Sequence, residues 1–241
     1  SGGTANTARQ EPPGTGTQTA AIVAGGNTPS VTGVTELYDG SSWTEVNDLN
    51  TARYAGGLSG IQTSAILGGG YSTDNTTNAE TWDGTNWTEV SELNTARRAL
   101  NHTAGETSSS ALIAGGFSPG SGTEAKVESW DGSSWTEVND LNSGRRLLIT
   151  TGTATAALSF GGNTPDTAKT EIWNGTSWTE LNDLNTARHG LGGNGITTAA
   201  LAYGGNTGRQ ATESWNGTSW TEVNDLSTGR QEAGCAGTAG V

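Results

Sequence analysis

The chain has 241 residues, with 38 glycines, 5 prolines and a net charge of −13 from 24 acidic and 11 basic side chains. This charge repels phosphate backbones and anionic lipid surfaces, so neither nucleic acid nor a membrane is an expected partner. One cysteine, Cys235, permits neither an intrachain disulfide nor a cysteine zinc site, and nine tryptophans argue against a disordered chain.

The N-terminal elements follow a simple order. Residues 5–9 form a polar connector that ends in an arginine, and a strand-like piece follows it. Residues 20–26 form an apolar run that ends in a glycine pair, which is typical of a strand buried on both faces. A third piece contains Glu36 and Tyr38, and an Asp-Gly turn, a strong hairpin signal, joins it to a fourth piece that starts at Trp43. The unit is therefore predicted to hold four short strands.

This unit recurs five times along the chain. Its connectors end in arginines that are 44, 48, 43 and 42 residues apart. These linking arginines are Arg53, Arg97, Arg145, Arg188 and Arg230. Periods of about 40–50 residues with four strands each indicate the blades of a propeller. We predict an all-β, five-bladed β-propeller with four-stranded antiparallel blades. Its repeats are expected at about 9–52, 53–96, 97–144, 145–187 and 188–229.

The order of residues within the unit resembles a known repeat. Each unit carries a glycine pair, then Glu-x-Tyr or a similar triplet, then a second aromatic residue and finally an arginine. This order resembles the kelch repeat from about residue 9 to the end of the sequence. The gap between Tyr38 and Trp43 is shorter than kelch repeats usually have. The resemblance implies a propeller made of five kelch-like repeats.

Both ends of the chain carry a copy of the same connector. Residues 5–11 resemble residues 226–232. Arg9 and Arg230 are 221 residues apart, which is five full periods. An open ring would leave an exposed strand edge, so we predict that the N- and C-terminal segments together close the ring.

Only one of the two copies can lead into the first blade. Proline cannot donate to a strand ladder, so Pro12 and Pro13 make the N-terminal copy a poor strand. We therefore expect residues 231–237 to supply the innermost strand of that blade, with residues 230–241 as the closing strand and residues 1–8 as an extension. A surplus copy from a longer array, or exchange of the end strand between chains, stays open as an alternative.

The residues that recur in every unit are expected to be structural. The five linking arginines could line an anion site, but five glutamates match them in number, and buried charges are normally paired. These glutamates are Glu36, Glu80, Glu128, Glu171 and Glu213. The second tryptophan of each unit is expected to pack between blades rather than stack on a sugar, because large rings dominate cores. These are Trp43, Trp87, Trp135, Trp178 and Trp220.

The sequence shows no catalytic constellation. A glycosidase needs two carboxylates in different environments, whereas these acids recur with near-identical neighbours. His102 and His189 fall at different offsets in their repeats and make no metal pair. We expect no enzymatic activity, no metal and no cofactor. Cys235 is expected to be a buried small residue in the closing strand.

The loops between the second and third strands differ from unit to unit. In a propeller these five loops emerge on one face, and loops on a rigid scaffold often carry binding residues. The candidate binding residues are Tyr71, Asp74, Phe117 and Arg209.

These features favour a monomeric, non-enzymatic binding or display module for a protein or a glycan. One alternative is a five-site lectin, and another is a purely structural, virion-associated or engineered repeat protein. A sialidase-like or oxidase-like propeller would need an asymmetric acid, base or metal set that the repeats lack. The serine-, threonine- and glycine-rich, lysine-poor composition resembles secreted or virion-surface repeat proteins, which favours an extracellular or virion-surface location.

Overall fold

The computed structural model describes residues 3–232 and residue 235, and every regular element in that part of the chain is a β-strand. Twenty of the 22 strands form five four-stranded antiparallel sheets, which are the blades. The described residues accordingly contain no helix that is long and apolar enough to cross a membrane.

Each blade takes its four strands in chain order. Blade 1 consists of β1 (Gly14–Thr17), β2 (Ala20–Asn27), β3 (Val31–Tyr38) and β4 (Trp43–Val46). Blade 2 consists of β5 (Gly57–Ile61), β6 (Ser64–Gly68), β7 (Ala79–Trp82) and β8 (Trp87–Val90). Blade 3 consists of β9 (Ala104–Thr107), β10 (Ser110–Ala114), β13 (Val127–Trp130) and β14 (Trp135–Val138), with a small hairpin of β11 (Phe117–Ser118) and β12 (Gly122–Thr123) in its loop.

Blade 4 consists of β15 (Ile149–Thr153), β16 (Ala156–Phe160), β17 (Thr170–Trp173) and β18 (Trp178–Glu180). Blade 5 consists of β19 (Gly192–Ile196), β20 (Ala199–Tyr203), β21 (Thr212–Trp215) and β22 (Trp220–Val223). The inner strands β1, β5, β9, β15 and β19 lie side by side in this order around the axis. The predicted all-β architecture of five four-stranded blades is confirmed.

The innermost strand of blade 1 comes from the N-terminal copy, which corrects the prediction for residues 231–237. Strand β1 pairs with β2 from Gly14 opposite Val23 to Thr17 opposite Ala20. The prolines do not prevent this pairing because they precede the strand. The carbonyl of Pro13 accepts a hydrogen bond from the Ala24 N–H at 3.1 Å, a contact that needs no proline N–H. Of residues 231–237, only 231, 232 and 235 lie within the described part of the chain.

Each internal connector joins two neighbouring blades. The carbonyl of Arg97 accepts a hydrogen bond from Gly70 N–H of blade 2 at 2.8 Å, while its guanidinium binds Glu128 of blade 3 at 2.7 Å. The preceding Gly69 has a φ of 66°, and a Cβ there would lie 2.6 Å from the Arg97 carbonyl oxygen. The recurring glycine pair is therefore explained by the close approach of the connector.

The same ion pair recurs at the other internal connectors. Arg53 binds Glu80 at 2.5 Å, Arg188 binds Glu213 at 2.9 Å, and Arg145 binds Glu171. All of these side chains are buried.

Each internal connector makes both a backbone hydrogen bond to one blade and an ion pair to the next, whereas each terminal connector makes only one of these two contacts among the described residues. Arg9 binds Glu36 of blade 1 at 3.0 Å. The carbonyl of Arg230 accepts a hydrogen bond from Gly205 N–H of blade 5 at 2.9 Å, but its side chain is exposed. Arg230 thus departs from the expected pairing with a recurring glutamate, because Glu36, the remaining one of the five, is bound by Arg9.

Apolar clusters fill the interfaces between successive blades. Between blades 1 and 2, Trp82 and Trp87 lie with ring centroids 5.4 Å apart and pack in one cluster with Ile22 and Ala24. Equivalent clusters join blades 2 and 3, 3 and 4, and 4 and 5, and they bury Trp135, Trp178 and Trp220. Within the described residues, these second tryptophans are therefore packing residues between blades.

The seam between blades 5 and 1 is built differently. Tyr38 and Trp43 are only half-buried, and the indole N–H of Trp43 donates to the Gly3 carbonyl at 3.1 Å. A cavity of about 280 Å³ lies beside them and is also lined by Cys235. The Cys235 sulfur accepts a hydrogen bond from Gly193 N–H of blade 5 at 3.3 Å, and burial raises the pKa of this thiol. Cys235 is buried, and it spans the seam.

One variable position in the inter-blade interface offers a stabilising substitution. The buried indole N–H of Trp220 donates to Thr170 Oγ1 at 3.0 Å, whereas that of Trp178 meets Val127 at the equivalent position and has no partner among the described residues. We expect Val127→Thr, which preserves shape, to raise the free energy of unfolding by about 1 kcal/mol, the usual net contribution of a hydrogen bond. Denaturant titration measures this gain, and it should vanish when Trp178 is first changed to Phe. An equal effect in both backgrounds would contradict the hydrogen bond.

The hairpin turns between the third and fourth strands predict an acid-sensitive contribution to stability. Hydrogen bonds from Ser133 and Ser134 lower the pKa of Asp131 from 3.8 to about 2. A depressed carboxyl pKa stabilises the fold above 3.8, and this contribution disappears as the pH falls from 3.8 to about 2. Asn174 makes the same turn hydrogen bonds without a charge. As the pH falls through this range, the stability of Asp131→Asn should therefore fall less steeply than that of the parent protein. Thermal unfolding at each pH measures both. Parallel curves would rule this out.

Candidate functional site

Two positions in each blade form a ring on the loop face. One position follows the arginine of the connector, and the other follows the glycine pair. The ten residues, named here the rim, are Gln10, Tyr54, Arg98, Arg146 and His189, together with Asn27, Tyr71, Phe117, Asn163 and Asn206. The two members from each blade lie opposite each other through backbone hydrogen bonds, as in the 2.9 Å bond from Tyr71 N–H to the Tyr54 carbonyl. The backbone repeats while the side chains differ, so the rim is asymmetric.

One half of the rim is a stack of alternating aromatic rings and cations. The rings of Tyr54 and Tyr71 have centroids 5.4 Å apart. The Arg98 guanidinium lies 4.7 Å from the Tyr71 centroid and 5.4 Å from that of Phe117, and Arg146 lies 5.3 Å from the Phe117 centroid. Cation–π attraction holds each guanidinium against a ring and leaves its edge N–H groups available.

The positive charges without an ion pair all lie on this face. Seven of the 11 basic side chains form ion pairs with Asp or Glu in the described part of the chain. The other four are Arg98, Arg146, Arg209 and Arg230, and each belongs to a connector or to a loop beside the rim. A strongly acidic protein therefore keeps in one place the four arginines that form no ion pair within the described residues.

The other half of the rim is a neutral and acidic hydrogen-bond network. Asp166 accepts from the Asn206 amide at 2.6 Å and from the Asn163 amide at 2.8 Å, and it contacts His189 Nδ1 at 2.6 Å. Although partial burial opposes it, these hydrogen bonds lower the pKa of Asp166. The Asp166 carboxylate accepts the Nδ1 proton of His189 and so fixes the orientation of the ring.

The structure separates the four binding residues that the sequence suggests. Tyr71 and Phe117 come together on the rim through Arg98, and the Asn75 amide donates to the Phe117 carbonyl at 2.8 Å. Asp74 is exposed in the same loop as Tyr71, where its carboxylate accepts from Asn75 N–H at 2.7 Å. Arg209 is exposed in the loop of blade 5.

Sequence reasoning missed most of the rim. Tyr54, Arg98, Arg146 and His189 each follow a linking arginine, and Asp166 lies in the loop of blade 4. The available signal was the variation at one position directly beside an invariant residue of the repeat.

The rim surrounds a closed end of the central axis. Glu11, Ala55, Ala99 and Leu147 meet there with left-handed backbones and leave a void of only about 10 Å³. Burial raises the pKa of Glu11, nearby Glu232 adds to the rise, and Arg98 opposes it. A ligand on this face would therefore lie across the rim rather than in a channel. The described residues contain no group of three or more His, Cys, Asp or Glu placed to hold a metal ion.

The comparisons with known proteins identify the fold alone. No family model matches the sequence, and no curated protein matches it. Among solved structures, that of YjhT is similar, with a TM-score of 0.79 at 11% sequence identity, over 96% of this chain and 88% of that chain. At this identity the likeness supports the propeller architecture and assigns no ligand or activity.

Proposed function

We propose that the protein is a non-enzymatic, kelch-like binding module whose rim recognises an acidic glycan. The observation that carries this proposal is that all four arginines without an ion pair in the described residues lie on the loop face of a protein with a net charge of −13. A ligand carboxylate or sulfate would find planar N–H donors on Arg98 and Arg146, which the aromatic rings already orient.

The second half of the rim suits the rest of such a ligand. Sugar hydroxyls both donate and accept hydrogen bonds, so Nε2 of the His189 ring, which Asp166 orients, can bond with one of them. The Tyr54 and Tyr71 rings add a partly exposed aromatic surface on which a sugar ring can stack. This combination favours a glycan over an acidic peptide.

A single asymmetric site fits the structure better than five equivalent sugar sites. The aromatic residues that recur in every blade would have to serve such sites, but Trp87, Trp135, Trp178 and Trp220 are only 5–7% exposed. The symmetry of the recurring acids also supports a binding role without catalysis.

A glycan array that pairs each acidic oligosaccharide with its neutral counterpart tests the proposal. We expect retention of uronate-containing or sulfated glycans, with about one site per chain, and weaker retention at high salt. Equal retention of the neutral counterparts, or selective retention of acidic peptides on a parallel array, would contradict it.

A further inference from the structure

The axis opens as a cavity on the face opposite the rim. Its volume is about 310 Å³, and the inner strands of all five blades line it. Each strand places a glycine at the wall, which leaves the axis unfilled at this end. The cavity is separate from the rim because the void at the loop-face end of the axis is only about 10 Å³.

A local irregularity in blade 3 places a histidine in this cavity. The linking arginine and the wall glycine are seven residues apart in the other blades, as in Arg53 and Gly60, but eight apart between Arg97 and Gly105. The extra residue is accommodated by a left-handed Asn101, whose amide reaches the Leu191 carbonyl of blade 5 at 2.8 Å. The next residue, His102, is 8% exposed and lines the cavity.

The His102 ring presents a hydrogen-bond acceptor. Burial lowers the pKa of His102 to about 4, and a hydrogen bond to the Gly14 backbone partly opposes this shift. The hydrogen bond to Gly14 favours the charged ring, so the ring must be its donor. The donor is not Nδ1, because Nδ1 has no partner among the described residues. The proton therefore lies on Nε2, and Nδ1 keeps a free lone pair in a neutral ring.

Two threonine hydroxyls of the cavity also present acceptor lone pairs. The hydroxyls of Thr15 and Thr151 each donate to a carbonyl of the neighbouring blade at 2.8 Å, so their lone pairs remain for a ligand. Buried Thr103 Oγ1 has no partner within the described residues. No lysine or arginine lines the cavity, and Glu106 is exposed at its wall.

Apolar surface completes the site. Ile61 and Ile196 line the same cavity and are 45% and 53% exposed, which makes them two of the three most exposed large apolar residues in the described chain. An alkyl chain would cover this surface on binding.

We propose that this cavity binds a short alkylammonium ligand, with an ammonium group among His102, Thr103 and the threonine hydroxyls and its chain against the two isoleucines. An ammonium group offers three donors and no acceptor, which complements the lone pairs of His102 Nδ1 and of the Thr15 and Thr151 hydroxyls. A diamine would place its second charge near Glu106.

Calorimetric titration of the whole protein with 1,4-diaminobutane, and separately with 1,4-butanediol, tests this site. We expect saturable one-to-one binding of the diamine and none of the diol. Glu106→Gln should weaken diamine binding by about two- to fivefold, the range of a solvent-exposed ion pair. The matched control Glu222→Gln, on the exposed outer strand β22, should leave it unchanged.

Nitrogen NMR of the His102 ring provides a second readout that needs no substitution. The Nδ1 signal should shift on addition of the diamine and stay in place with the diol. Absence of saturable diamine binding, equal binding of the diol, or an equal loss in Glu106→Gln and Glu222→Gln would overturn the proposal. These outcomes are independent of the acidic-glycan proposal, because that site lies at the opposite end of the axis.

Discussion

Replacing Glu128 by glutamine should lower the free energy of unfolding by about 3–5 kcal/mol, the cost of breaking a buried ion pair. Both Arg97 and Glu128 are completely buried, and their closest contact is 2.7 Å. Burial lowers the pKa of Arg97, and the charge of Glu128 counteracts this. Removing that charge leaves a cation inside the interface between blades 2 and 3.

The carboxylate has further partners that glutamine cannot satisfy. Its oxygens also accept from the Asn94 backbone N–H at 2.7 Å and from the Asn94 amide at 2.9 Å. A glutamine would turn one of its two oxygens into a donor, which would then face other donors. Equilibrium unfolding in urea measures the loss, which is a large share of the total stability of about 5–15 kcal/mol typical of a domain.

Arg230 provides the matched control for this prediction. It occupies the same place in its repeat as Arg97, but its side chain is exposed. We expect Arg97→Gln to cost as much as Glu128→Gln, and Arg230→Gln to stay within about 0.5 kcal/mol, as exposed substitutions usually do. Equal losses at Arg97 and Arg230 would show that the arginine stabilises each connector by itself and not through the buried pair.

The recurring residues were predictable from the sequence because repetition itself is evidence of architecture. Five arginines and five glutamates at fixed offsets predict ion pairs, and the structure places Arg53 on Glu80 and Arg97 on Glu128. The glycine pairs mark the end of an apolar strand, and the second strand of blade 2 does end at this pair, where Gly69 adopts a φ of 66°. Such features depend on local spacing, which each repeat restates.

The sequence could not predict which of the two terminal connectors leads into blade 1. The two terminal connectors resemble each other and both contain Thr-x-Arg-Gln-Glu, so the sequence alone does not show that Arg9 rather than Arg230 binds Glu36. Pro12 and Pro13 do not weaken the innermost strand of blade 1, because this strand begins only at Gly14. A shift of one or two residues changes which backbone groups need a partner.

Only part of the rim could be predicted from the sequence, for a related reason. Tyr71 and Phe117 lie in variable loops and were accessible to sequence reasoning, but Arg98 lies beside an invariant arginine and looks like part of the connector. Its contact with both rings arises because blades 2 and 3 are neighbours in space. The contact of Arg98 with Tyr71 joins two different blades and therefore has no local signature in the sequence.

The double substitution of Arg98 and Arg146 by glutamine should weaken binding of the preferred acidic glycan by about 100-fold or more. A hydrogen bond to a charged group contributes about 1.5–3 kcal/mol, and 1.4 kcal/mol corresponds to a factor of ten in affinity. Neither guanidinium forms an ion pair within the described residues, so the fold should lose little stability. Titration calorimetry measures the affinity, and thermal unfolding checks the fold.

Two further variants separate the chemistry of the rim from simple charge. Lys126→Gln with Lys169→Gln removes the same number of positive charges, but from exposed ion pairs with Glu137 and Glu180 outside the rim. This double variant should change the affinity for the glycan by less than about fivefold. Arg98→Lys with Arg146→Lys keeps the charge but loses the planar fork that stacks on Tyr71 and Phe117, so much of the affinity should still be lost. If the lysine pair binds as well as the parent, recognition is a matter of net charge alone. If the distant pair loses as much as the rim pair, the ligand binds elsewhere. A site built from guanidinium groups held on aromatic rings predicts one order of affinity loss. The loss should be greatest for the glutamine pair on the rim, smaller for the lysine pair on the rim, and least for the glutamine pair outside the rim.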